Sequence, residues 1–132
     1  MKKDYRTKNH SKFLIIYHLI FVVKYRKSLL KEYGMWMKDC IFQIAEKSNF
    51  SIKEMEVEPD HIHIMVESCP KISPLQIVRR LKQHTTYYIW QKFPSLEKHF
   101  WKDKTFWSDG YFCSSIGNAS IETVKRYIQS QG

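Results

Sequence analysis

From Ser51 to Glu67 polar and apolar residues alternate, with one interruption at Pro59-Asp60. A period of two puts like residues on one side only in an extended strand. In 51–58, Met55 and Val57 share one side and Glu54, Glu56 and Glu58 the other, while Ile52 falls out of phase. Pro59-Asp60 is turn chemistry, so 51–58 and 61–67 are predicted to pair as a hairpin. In the second strand Ile62, Ile64 and Val66 point one way, and His61 and His63 stand side by side on the other. The fold must cover the aliphatic side of this hairpin while the opposite side carries two imidazoles.

The rest of the chain supplies the cover. Phe13–Lys24 is a nearly continuous apolar run rich in Ile, Val, Phe and Tyr, the pattern of a central strand. Tyr33, Met37, Cys40, Ile41 and Ile44 recur at helical spacing, predicting a helix from a Ser28 cap to about Asn49, with Gly34 weakening its start. Ser73-Pro74 reads as an N-cap with a first-turn proline, opening a second helix with Leu75, Val78, Leu81 and Tyr88 as its buried stripe, ending near Phe93-Pro94. Tyr111–Ile116 is a short strand and Ser120–Gln131 a terminal helix anchored by Ile121, Val124 and Ile128. The order β-α-β-β-α-β-α predicts an α+β domain of split-βαβ, ferredoxin-like or RRM-like type. Its antiparallel sheet would carry two long helices on one face, with the histidines and hairpin glutamates on an open second face. We read 1–132 as one domain, with residues 1–12 a basic arm and 118–132 a movable terminal helix hinged at Gly117-Asn118.

Charge and cysteine content narrow the partners. Lys and Arg total 22 against 13 Asp and Glu, a formal net charge of +9. Such an excess on a small domain points to a polyanion, nucleic acid first and an anionic membrane surface after it. The apolar run Phe13–Val23 is too short to span a bilayer as a helix, and no small-residue cleavage signal follows it. Three scattered cysteines, with no Cys-x-x-Cys pair, fit free thiols in a cytoplasmic protein and give no structural zinc site. Arg79, Arg80, Lys82 and His84 on the second helix, with Lys24 and Arg26, are candidate DNA contacts. Lys92, Lys98, Lys102 and Lys104 flank aromatic residues, which suits single strands, although some of Trp101, Phe106 and Trp107 are expected to fill the core.

Two imidazoles are a common ligand pair for a divalent ion but do not close a site. Glu58, across the hairpin, is one candidate for a further ligand. Tyr127 and Gln131 lie four apart on the terminal helix and so share a face, offering a phenol to attack and an amide oxygen to help hold a metal. A phenol with pKa near 10 is a weak nucleophile at neutral pH, and a cation beside the phosphate would support the charge that develops on attack. No Walker phosphate loop or dinucleotide fingerprint is present, consistent with strand transfer that needs no nucleotide triphosphate.

Taken together, the chain resembles the single-tyrosine HUH transposases of small bacterial insertion sequences, the TnpA-like family. The matching stretches are Tyr17-His18-Leu19-Ile20-Phe21 with Lys24-Tyr25-Arg26, then Pro59-Asp60-His61-Ile62-His63-Ile64, then Tyr111-Phe112 and Lys125-Arg126-Tyr127-Ile128-Gln129-Ser130-Gln131. The resemblance implies His61, His63 and Gln131 as ligands of Mg²⁺ or Mn²⁺ and Tyr127 as the nucleophile that forms a 5′-phosphotyrosine. It implies a substrate of single-stranded DNA with imperfect hairpins at the element ends. It also implies a homodimer in which one subunit's tyrosine helix completes the other's histidine site, acting in the cytoplasm and at the nucleoid when bound to DNA.

Two other readings stay open on the residues alone. A non-catalytic single-stranded nucleic-acid-binding module has the same architecture, but histidines stand where its aromatic platform would be. A metal-dependent nuclease could activate water with His61, His63 and Glu58, which leaves Tyr127 and Gln131 without a role.

Overall fold

The computed structural model describes residues 6–8, 11–100, 104–115 and 121–131, with backbone alone for 6–8, 11–12 and 121–125. Trp101, Lys102, Ser120 and the Gly117-Asn118 hinge lie outside these residues, as do the side chains of Ile121 and Val124. In chain order the elements are β1 (Arg6–Lys8), β2 (Ser11–Phe13), β3 (Ile15–Val22), α1 (Leu30–Glu46), β4 (Ser51–Glu58), β5 (His61–Ser68), α2 (Pro74–Lys92), β6 (Phe112–Ser115) and α3 (Ile121–Ser130). The split-βαβ expectation holds: β3 to β6 form an antiparallel sheet ordered β4-β5-β3-β6. Within the stretch expected to be a basic arm, β1 and β2 pair as a small separate hairpin. No described helix is long and apolar enough to cross a membrane.

One face of the sheet makes the main core. Leu19, Phe21, Ile62, Ile64, Val66 and Met55 pack against Met37, Ile41 and Ile44 of α1 and Val78, Leu81 and Ile89 of α2. Each such side chain contributes roughly 1.5–3 kcal/mol when removed from water. Phe106 and Trp107 are fully buried core residues, and the Trp107 indole N–H donates to the Thr85 hydroxyl at 2.8 Å.

Three local expectations change, and the phase break at Ile52 finds its cause. The α2 stripe is Ile77, Val78, Leu81, Thr85, Thr86 and Ile89, while Leu75 and Tyr88 are each 40% exposed. Thr85 can sit inside because its hydroxyl also donates to the Leu81 carbonyl, satisfying a polar group that would otherwise be costly to bury. Helix α1 starts at Leu30 with no side-chain cap from Ser28; the Leu30 N–H donates instead to the Pro59 carbonyl at 3.0 Å. Ile52 leaves the alternation because β4 bulges between Ile52 and Glu54, and the extra residue, Lys53, returns Ile52 to a position opposite Val66. Finally, the second face is not open: Ile20 and Val22 are fully buried on it, and the Tyr127 ring of α3 packs 5.9 Å from that of Phe112.

Candidate active site

Strand register decides which side chains can meet. Ile20 on β3 pairs with His63 of β5 on one side and Phe112 of β6 on the other. His63, Ile20 and Phe112 therefore form one row across the second face, and His61 stands beside Val22 on the same face. The His61 and His63 rings lie 5.0 Å apart. Tyr127 packs on the Phe112 end of that row, and Phe112 itself lies two strand spacings, or about 10 Å, from His63 along the sheet.

Each imidazole of the pair has a partner on Nδ1. Asp60 Oδ1 lies 2.7 Å from His61 Nδ1, and His18 Nε2 lies 3.1 Å from His63 Nδ1 with the two rings stacked. Arg26 reaches the other oxygen of Asp60, at 3.4 Å. Burial works to raise the Asp60 carboxyl, but hydrogen bonds from His61 and Arg26 hold it below the usual range. Arg26 is placed by a tight turn in which Tyr25 and Arg26 take φ of 61° and 51°, left-handed values costly for non-glycine residues.

Burial, with His61 and His18 beside it and Glu56 opposing, lowers His63 to about 4, and burial also lowers His18. His63 is thus neutral at physiological pH. In the tautomers in which Nδ1 of His61 donates to Asp60 and Nδ1 of His63 donates to His18, the Nε2 lone pair of each ligand candidate is left for another partner. That is the arrangement of metal-binding imidazoles, whose second nitrogen is held by a carboxylate or similar group. The donor set fits a divalent cation.

Tyr127 and Gln131 meet at Gly110. A Cβ at Gly110 would stand 3.7 Å from the Tyr127 hydroxyl and 3.7 Å from Gln131 Oε1. The hydroxyl is buried with no hydrogen-bond partner among the described residues, and burial pushes the phenol up to about 12. The structure therefore brings His61 and His63 together, and Tyr127 and Gln131 together, on one face. No hydrogen bond among the described residues joins the two groups. Glu58 pairs with His61 across the hairpin but its side chain is exposed, and no three His, Cys, Asp or Glu side chains among the described residues form a ready cation site.

The six candidate DNA contacts fall in different places. Arg79 is exposed on α2. Arg80 and His84 line a groove of about 620 Å³ between α1 and α2, on the side of the sheet away from the histidines. There Arg80 donates to the Ser48 hydroxyl and the Lys47 carbonyl. Lys24 reaches Asp109 and Thr105, Arg26 faces Asp60, and Lys82 turns inward onto backbone carbonyls.

Sequence reasoning passed over His18, Asp60 and Gly110. Asp60 had a signal, a carboxylate directly before the first histidine. His18 and Gly110 act through pairing register and helix placement, which have no local signature.

Known proteins share this arrangement of elements. The profile of the family described as Transposase IS200 like matches residues 11–131. The chain is 29% identical to the ISDra2 transposase TnpA of Deinococcus radiodurans over 116 residues, 87% of this chain and 82% of that one. It is 27% identical over 129 residues to the transposase for insertion sequence element IS200 of Salmonella typhimurium, 97% of this chain and 84% of that one. A crystal structure from Deinococcus radiodurans assigned as a transposase superposes with a TM-score of 0.84 at 26% identity, covering 99% of this chain and 98% of that one. A tyrosine transposase bound to a REP hairpin shares the fold, with a TM-score of 0.57 at 12% identity over 92% of this chain and 68% of that one. With a profile match spanning every strand of the main sheet and the tyrosine helix, the chain belongs to the IS200-like transposase family.

Proposed function

We propose that this transposase cleaves and rejoins single-stranded DNA at the ends of its insertion sequence through a covalent link to Tyr127. The Tyr127 oxygen attacks the scissile phosphorus, the P–O3′ bond breaks, the phenolic proton is lost, and the released 3′-oxygen takes up a proton. The DNA 5′-phosphate is left esterified to the tyrosine. Rejoining reverses these steps with a new 3′-hydroxyl, so the phosphodiester energy is conserved. His61, His63 and Gln131 would hold Mg²⁺ or Mn²⁺, which would offset the negative charge that builds on the phosphate oxygens as the phosphorus becomes five-coordinate. Asp60 and His18 fix the orientation of the two imidazoles.

The observation that carries this reading is the shared face: paired imidazoles with both Nδ1 atoms engaged, and a phenol set beside an amide at the end of α3. It favours strand transfer over water-activating hydrolysis, because exposed Glu58 does not join the histidines in a three-donor site while Tyr127 and Gln131 are placed together. The hairpin-bound structure of a tyrosine transposase with this fold supports a folded single-strand substrate. Arg79, on the exposed side of α2, is the candidate DNA contact with the fewest ties among the described residues.

Incubating the protein with a labelled single-stranded hairpin oligonucleotide and Mn²⁺ should give a covalent species that survives a denaturing gel. Chelation and Tyr127→Phe should each abolish it. An undiminished adduct with Tyr127→Phe would falsify the assignment, and repeated cleavage with no adduct would establish the nuclease instead.

A further inference from the structure

Lys82 was a natural candidate for a phosphate contact, yet its side chain runs into the molecule. Its ammonium donates to the carbonyls of Ser108 at 2.7 Å, Gly110 at 2.6 Å and Asp109 at 3.3 Å. It also sits 5.6 Å from the centroid of the Phe21 ring and 6.0 Å from that of Tyr111. Burial lowers its pKa to about 8, with Asp109 opposing and Lys24 adding to the shift. All three ammonium protons of a lysine can donate, and three carbonyls of one short loop receive them here.

The loop that Lys82 holds is fastened from the other side as well. The Ser108 N–H donates to the Val22 carbonyl at 2.8 Å, the Lys24 N–H to the Phe106 carbonyl at 2.9 Å, and Lys24 Nζ pairs with Asp109 at 3.3 Å. Residues 106–110 are thus gripped between the end of β3 and α2. At the end of this loop lies Gly110, where the Tyr127 hydroxyl and the Gln131 amide come to rest.

We infer that Lys82 is a positioning residue: by binding the three carbonyls of 108–110 it fixes the backbone seat against which Tyr127 and Gln131 are set. The inference builds on the roles proposed above for those two side chains. Its consequence is that removing Lys82 damages the strand-transfer step while leaving the count of phosphate contacts unchanged.

Lys82→Met tests it with three readouts. The slope of log affinity for a single-stranded oligonucleotide against log salt should stay as in the wild type, because each lost phosphate contact on a single strand would lower it by about 0.7. The rate of adduct formation at saturating DNA and Mn²⁺ should fall roughly 10–100-fold, as expected for a displaced reacting group. The NMR signal of ring-labelled Tyr127, identified by its loss in Tyr127→Phe, should shift in the protein without DNA or metal. Gly110→Val approaches the seat from the opposite side and leaves Lys82 in place; it should slow the adduct with the same salt slope. It also decides the matter if Lys82→Met does not fold. A salt slope reduced by about 0.7 with an intact rate at saturation, an unmoved Tyr127 signal, or a Gly110→Val protein of full rate overturns the inference. If Tyr127→Phe still forms the adduct while Lys82→Met moves the Tyr127 signal, the nucleophile assignment fails and the seat stands.

Discussion

At the scale of single residues, the histidine pair depends on neighbours that are not themselves candidate ligands. His18 holds Nδ1 of His63, and such outer partners commonly tune metal affinity. His18→Ala should therefore weaken Mn²⁺ binding roughly 10–100-fold by isothermal titration while leaving metal-free DNA binding as it was; unaltered Mn²⁺ affinity would remove His18 from the site. Gly34 answers a different demand. A Cβ there would lie 2.7 Å from Val57 Cγ1, so the glycine lets α1 approach β4 closely. Gly34→Ala should cost about 1–3 kcal/mol in urea denaturation despite alanine's better helix propensity, and a gain in stability would show that the strand yields easily. The common orientation of His61 and His63 could be read from their spacing, as could the shared face of Tyr127 and Gln131. The stack of His18 on His63 could not, because it depends on which residues of β3 and β5 lie opposite one another.

Among the elements, α2 shows what composition reveals and what it hides. Its start was legible: Ser73 and Gln76 form a reciprocal capping box and Pro74 occupies the first turn. Ser73→Ala should cost about 1 kcal/mol in thermal or chemical unfolding, and no change would mean the cap is replaced by water. Its buried side was misjudged at Leu75 and Tyr88, because apolar spacing cannot anticipate that the Trp107 indole makes an interior place for Thr85. Likewise the strand character of 51–58 was clear, while the bulge that swings Ile52 inward was visible only as a break in rhythm. Elements set by their own caps and periodicity can be predicted; those adjusted by a distant partner cannot.

For the whole molecule, the sheet divides two chemistries. Arg80 and His84 face outward between the long helices, whereas the imidazoles and the tyrosine helix occupy the other side. Nothing among the described hydrogen bonds ties Tyr127 to the histidines of its own chain, which leaves room for a second copy to supply it. If it does, mixing Tyr127→Phe with His63→Ala protein should restore adduct formation that neither shows alone, and a mixture as inert as its components would place the reaction within one chain. The order of elements was readable from the sequence, but the burial of Ile20 and Val22 on the second face was not, because it depends on tertiary packing that strand periodicity does not carry. The turn at Pro59-Asp60 has a further consequence. Its carbonyls accept from Leu30 and Val23, and its aspartate orients the adjoining histidine, so helix start, strand end and ligand all depend on one dipeptide. Inserting or deleting a single codon there would slide β5 by one place and turn both rings into the aliphatic interior. Among natural variants of this chain, length changes should accumulate almost anywhere sooner than at that corner.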